Sequence, residues 1–215
     1  MSMLTGPEIV RQVRLGAVTI DPFDPEKVGS NSYDLTLSPD LLVYEKNYPL
    51  HLYYATTLAR SKHLDYSRGV TTAWETPVPL DMAVEEPTVP LTIPPEGLTL
   101  WPGVLYLAAT NERAGSDRFV PCIDGRSSVG RMALTTHVTA GFGDVGFGGR
   151  DAPSTWTLEL TVTLPLVVYA GVRVCQVSFT VPVGELKPYA GKYASQTGPR
   201  ASGLWKDFQN AKGAT

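Results

Sequence analysis

Arg126, Ser127, Ser128 and Arg131 share one Gly-Arg-Ser-Ser-Val-Gly-Arg run, and small hydroxyls beside guanidinium groups suit the recognition of phosphates. The surrounding stretch, Cys122 to Phe147, adds His137, a Thr139-Ala-Gly step and Asp144 between glycines, which let backbone approach a polar heterocycle closely. Further along stand a second acid, Glu159, and a polar, glycine-rich tail from Tyr189 that carries Lys192 and Gln196. Taken singly, each residue has an ordinary alternative. Arg126 and Arg131 can be surface or ion-pairing residues, Glu159 a solvated strand residue and Lys192 an exposed lysine.

Spacing argues against other chemistries. A zinc-dependent deaminase centre needs a His or Cys plus a Cys-x-x-Cys pair, with a separate glutamate as proton shuttle. Here Pro121-Cys122 begins like such a motif, but no second cysteine follows three positions later. Ser127 or Ser128, His137 and Asp144 are formally a Ser/His/Asp set, yet no Gly-x-Ser-x-Gly elbow surrounds either serine. His137, between Thr136 and Val138 on a strand, therefore reads as a structural histidine. No phosphate loop of the Gly-x4-Gly-Lys-Ser/Thr type is present.

The elements that must hold these groups read as short strands joined by turns. Of 215 residues, 43% are hydrophobic and 18% charged, so the chain is a globular one, expected to form a single domain over 1–215. Its 20 glycines and 18 prolines argue against long helices. A net charge of -3 offers no basic face for a nucleic acid polymer. No run reaches the apolar length of a membrane span and the N-terminus lacks a signal pattern, so the expected compartment is the cytoplasm. Cys122 and Cys175, far apart in apolar settings, read as buried free thiols.

In chain order, Thr5-Gly-Pro-Glu8 predicts a capping box that opens a short helix, with Ile9, Val10 and Val13 on one face and Gly16 at its end. Ala17 to Ile20 reads as a strand. In Asn31-Ser-Tyr-Asp-Leu-Thr-Leu37 apolar and polar residues alternate, the period of a half-buried strand, with Asp34 expected to tie a turn or satisfy backbone donors. Tyr44 to Pro95 is the least informative stretch, and its His51 and His63 read as exposed, near a small basic cluster at Arg60 to Lys62. Leu98 to Thr110 predicts a strand cut in two by Trp101-Pro-Gly103. From Trp156 to Thr163, Trp156, Leu158, Leu160 and Val162 share one face and Glu159 stands on the other. Val172 to Phe179 sets Gln176 opposite Cys175, Val177 and Phe179. The tail is too polar for core, so it is either disordered or folds over a ligand.

In this order the motifs closely resemble the dCTP deaminase family of the dUTPase-like superfamily. Asn31 to Leu37 is similar to the family's Ser-x-Asp-Leu-x-Leu strand and Leu98 to Thr110 to its Pro-Gly strand. Gly125 to Arg131, His137-Val-Thr-Ala-Gly141 and Thr157-Leu-Glu-Leu160 are similar to its three central motifs. Gly191 to Pro199 with Trp205-Lys-Asp-Phe208 resembles its lid.

The resemblance implies a mainly β, distorted β-sandwich or jelly-roll-like fold of the dUTPase type (a β-clip) with a short N-terminal helix. It also implies a flexible nucleotide-covering tail at about 189–215, and a homotrimer with active sites at subunit interfaces. No metal would be catalytic; Mg2+ would accompany the triphosphate. Glu159 would be the general base, with Ser127 and Arg131 holding the attacking water and the tetrahedral centre. Backbone around Ala140 would read the cytosine, and Gln176, Lys192 and Gln196 would contact the triphosphate. Arg126 would add charge there, with Ser128 and Tyr189 also at the nucleotide. Asp144 resembles the aspartate near the deoxyribose that activates water in dUTPases.

Two departures stand out. The family's Ile-Asp-Pro-Gly-Phe is Gly143-Asp-Val-Gly-Phe147 here, and the loop before Glu159 carries extra residues, about Arg150 to Ser154, expected as a surface bulge. The leading expectation is hydrolysis of dCTP to dUTP and ammonia. A bifunctional enzyme that continues to dUMP and diphosphate, a dUTPase and a non-catalytic nucleotide-binding regulator stand as alternatives.

Overall fold

Apolar residues at every second position become strands wherever a second sheet can cover them. The computed structural model describes residues 2–53, 55–56 and 78–212, and the cluster at Arg60 to Lys62 and His63 lie outside them. The chain runs α1 (Gly6–Arg14), β1 (Val18–Asp21), β2 (Tyr33–Tyr44), α2 (Tyr48–Tyr53), β3 (Thr88–Thr92), β4 (Leu98–Leu100) and β5 (Tyr106–Ser116). It continues through β6 (Val120–Gly125), α3 (Ser127–Gly130), β7 (Leu134–Thr135), β8 (Thr155–Val162), β9 (Leu166–Val168), β10 (Arg173–Thr180) and α4 (Trp205–Lys212). Strands β6-β10-β2-β5-β8-β7 follow one another in one sheet, which β1 joins through β5 and β3 through β2. β4 and β9 pair separately.

Two long strands turn this sheet into the expected distorted sandwich. β2 pairs with β10 at Tyr33 to Thr36 and with β3 from Asp40, and its register with β5 breaks between Leu37 and Leu41. β5 pairs with β8 from Tyr106 to Ala109 and, across a second break, again at Arg113, from where β1 joins it on the other side. Strands that change partners at such irregularities form the corners of a packed pair of layers. Tyr33, Leu35 and Leu37 from β2, Tyr106 from β5, Leu158 and Leu160 from β8, and Val177 and Phe179 from β10 are buried in the core between them.

Glu112 sits at the β5 break, buried, with a carboxylate that replaces the missing ladder partner. It accepts from Thr36 N and Thr36 Oγ1, both at 2.8 Å, and from Lys27 Nζ at 2.7 Å. A carboxylate at this depth is tolerated because its charge is paired and its lone pairs are used.

Several expectations need correction. Thr5 makes no side-chain cap, and Glu8 accepts instead from Gln12 and Arg11 one turn on, because both lie on its own helical face. The other end is as expected: Gly16, at φ 70°, closes the helix, and Ala17 N donates to Gln12 O. His51 is buried rather than exposed, with Nδ1 3.0 Å from Tyr106 Oη. Cys175 is a buried free thiol, but Cys122 is only half-buried. Of the expected surface bulge, Arg150 and Asp151 are exposed while Ser154 is buried; Arg150 donates through Nη2 to Gly16 O and through its backbone N to Asp117, which pins the loop beside the end of α1. No described helix is long and apolar enough to cross a membrane.

Candidate active site

Glu159 projects from β8 on the face opposite Leu158 and Leu160, as the alternation requires, and is half-buried. Its Oε2 lies 2.9 Å from His137 Nδ1 and accepts from Val138 N at 3.2 Å. The Nδ1 contact is close but not aligned as a hydrogen bond. On the far side of the ring, His137 Nε2 lies 2.6 Å from Ala140 O. Both neighbours only accept: the Ala140 carbonyl calls for a proton on Nε2, and the Glu159 carboxylate beside Nδ1 favours the charged ring.

His137 is raised above its ordinary 6.5, chiefly by Glu159, with burial opposing and the Ala140 carbonyl helping. Burial alone would raise Glu159, but the His137 contact and charge and the Val138 amide outweigh it, leaving the carboxyl below its ordinary 4.5. A depressed acid stabilises the fold above its unfolded pKa and loses that contribution as pH falls through the folded value. A raised histidine contributes fully below its unfolded pKa and loses the contribution as pH rises through the folded one. Thermal melts should therefore show the pair at full strength between about pH 5 and 6.5 and weakening above that window. His137→Asn is expected to remove the alkaline decline; an unchanged slope in that variant would mean the pair contributes nothing.

Glu159 and Ala140 line a cavity of about 360 Å³, walled by Leu105, Leu107, Phe147 and Trp156. The tail closes it. Gln196 is buried, donating through Nε2 to Thr155 O at 2.9 Å, while Thr155 N donates back to Gln196 O. Tyr189 N donates to Val145 O, and its ring packs edge-on to Phe147 with centroids 5.6 Å apart. Ser202 N donates to Tyr44 Oη, so a polar segment is held over the mouth by its own backbone groups. Lys192 does not line this cavity. It lies in a smaller cleft with Arg200 and Lys206, its Nζ 2.6 Å from Asp207 Oδ2 on α4.

The Arg-Ser-Ser turn is elsewhere. α3 presents Ser127 and Arg131 side by side and exposed, with Arg131 Nη1 3.4 Å from Ser127 Oγ. Arg126 and Ser128 line a second cavity of about 230 Å³ with apolar Met132, Leu166, Val167 and Val172. Asp34 neither ties a turn nor caps backbone: its carboxylate pairs with Arg126 Nε at 3.1 Å and Arg173 Nη1 at 3.5 Å. Gln176, one strand over, donates to Gly125 O and accepts from Ser32 Oγ. Asp144 is exposed and lines neither cavity.

One chain thus brings together Glu159, Ala140 and Gln196, with Tyr189 at the rim, and separately Arg126, Ser127, Ser128, Arg131 and Gln176. No residue lines both cavities. Sequence reasoning missed Glu159's partner, His137, which follows β7 in a loop rather than lying within a strand. Its position at the head of the His137-Val-Thr-Ala run was the available signal. Arg200 and Trp156 as cavity walls carried no local signal. Among the described residues no group of three or more His, Cys, Asp or Glu could hold a metal ion.

Residues 3–181 match a family model described as dCTP deaminase-like. A "dCTP deaminase, dUMP-forming" of Leptospira biflexa serovar Patoc is 41% identical over 209 residues, covering 96% of this chain and 98% of that protein. A protein of the same name from Clostridium beijerinckii is 38% identical over 208 residues, covering 96% and 99%. Among solved structures, the 2'-deoxycytidine 5'-triphosphate deaminase of Agrobacterium tumefaciens superposes with a TM-score of 0.51 at 17% identity, covering 84% of this chain and 48% of that one. That last likeness speaks to the fold.

Proposed function

The chain belongs to the dCTP deaminase-like family, and on that premise we propose that it hydrolyses dCTP with release of ammonia and carries the product on to dUMP and diphosphate. The observation that carries this reading is an ionised, half-buried Glu159 that shares with Ala140 a cavity of about 360 Å³, roomy enough for a pyrimidine nucleoside.

Water at neutral pH is too weak a nucleophile for C4 of cytosine, so a positioned base must take its proton as the C–O bond forms. Glu159 takes that proton and passes it to N3. Ser127 and Arg131 hold the water and the tetrahedral centre, and once the new C4 hydroxyl gives up its proton to the exocyclic nitrogen, the C–N bond breaks as C4=O forms and ammonia leaves. His137 must first vacate Glu159 and Ala140 O, because it sits where the donors of a protonated cytosine would.

Sharing of sites between subunits of a trimer is supported by the separation of the Ser127–Arg131 turn from the Glu159 cavity within one chain. Exposed apolar side chains, among them Met132, Phe142, Val167 and Val172, supply surface for such an interface. Lys192, Gln176, Gln196 and Arg126 serve the triphosphate, and Mg2+ arrives with it as part of the substrate.

The product differs from the leading expectation of dUTP. Relatives about 40% identical are named for forming dUMP, and Asp144, exposed beside the cavity-lining Phe147, is an acid able to direct water to the α-phosphate. Incubation with dCTP, and separately with dUTP, in Mg2+ should yield ammonia and diphosphate from dCTP. Ammonia alone would leave a simple deaminase, diphosphate from dUTP alone a dUTPase, and no product a nucleotide-binding regulator.

A further inference from the structure

We propose that Gly143 and Trp156 form an interlocked pair that positions the 139–147 loop against the Glu159 cavity. The pair thereby sets how turnover divides between free dUTP and onward hydrolysis to dUMP. The proposal rests on the roles given above to Ala140 and Asp144, which flank Gly143 on that loop.

Gly143 stands where the family pattern has isoleucine, and its backbone does not require glycine, since its φ is not positive. It is glycine for space. A Cβ there would lie 2.7 Å from Trp156 Cη2, 3.3 Å from Trp156 Cζ2 and 3.2 Å from Pro121 Cγ. The indole cannot yield. Its Nε1 donates to Ala114 O at 2.8 Å, its backbone N donates to Thr110 Oγ1 at 3.0 Å, and Phe147 meets it edge-on at 4.9 Å between centroids. The loop is held down by two backbone hydrogen bonds, Gly143 N to Pro121 O and Ile123 N to Gly141 O, which a displacement would break. The tryptophan therefore fills, from β8, the volume that an isoleucine would fill from the loop. Its ring also serves as cavity wall beside Glu159. Any side chain added at Gly143 must push the loop, and Ala140 and Asp144 move with it.

Two single variants and their combination test this. Gly143→Ala forces the clash; Trp156→Phe shortens the ring short of Cη2 and Cζ2; the double variant restores the fit. Gly143→Ala should lower kcat/KM for dCTP by roughly tenfold and change the ratio of diphosphate to ammonia, while the double variant should recover most of both, as directly coupled neighbours do. A parent ratio in Gly143→Ala, or a double variant no closer to the parent than Gly143→Ala, overturns the proposal. If Gly143→Ala does not fold, Trp156→Phe alone decides, because removing the ring edge leaves the loop unsupported and must also shift the ratio. The parent assayed first separates the two ideas: no ammonia or no diphosphate from dCTP sinks the functional reading before any variant is made.

Discussion

Glu159→Gln is expected to cut ammonia release from dCTP by roughly 10²–10⁴-fold, the usual worth of a positioned general base. Glutamine keeps the shape of the side chain and can still accept from Val138 N, so the β8 strand and the cavity persist. What it loses is the ability to take a proton from water and return it to the ring. It also removes the charge that raises His137, so the stability decline above about pH 6.5 should flatten in this variant as well. Calorimetric binding of dCTP should survive, which separates lost chemistry from lost folding. Hydrolysis of added dUTP to diphosphate should be largely spared, because that step is assigned to Asp144. Ammonia release at the parent rate would remove Glu159 from the mechanism.

The split between what the sequence made legible and what it did not follows the range of the interactions. β8 was readable because its alternation is local: Trp156, Leu158, Leu160 and Val162 face inward, which leaves Glu159 on the other side whatever the rest of the chain does. The break at Trp101-Pro-Gly103 was readable for the same reason, and β4 and β5 lie on either side of it. Glu112, Asp34 and His137 were not, because each is defined by a partner far along the chain. A charged residue inside a strand period looks like a solvated one until the fold shows that β2 pairs with β5 only from Leu37 opposite Thr110, which leaves Thr36 N to donate to the Glu112 carboxylate instead. His51 was misread on the same grounds: α2 presses it against Tyr106, a contact that no local pattern announces. In the candidate site, order along the chain suggested the groups but could not say that Glu159 and Arg126 would line different cavities of one chain.

That separation leads to the second large effect. Glu159→Gln and the double variant Ser127→Ala/Arg131→Ala should each be inactive alone, yet regain activity when co-expressed at equal levels and purified as mixed assemblies. If sites are shared as proposed, each site of a closed ring would take Glu159 from one chain and the Ser127–Arg131 turn from its neighbour. Random assembly then leaves about one quarter of sites with both halves intact, so ammonia release should return to about a quarter of the parent rate. Ser127 and Arg131, at the start and the C-cap of α3, are exposed and their side chains meet each other at 3.4 Å, a contact outside the core, so truncating them leaves the core of each chain untouched. A site built within one chain predicts the opposite, since every chain in the mixture lacks one half and none is repaired by its neighbour. Activity that stays at the sum of the two inactive variants would overturn the shared site and place both halves within one chain.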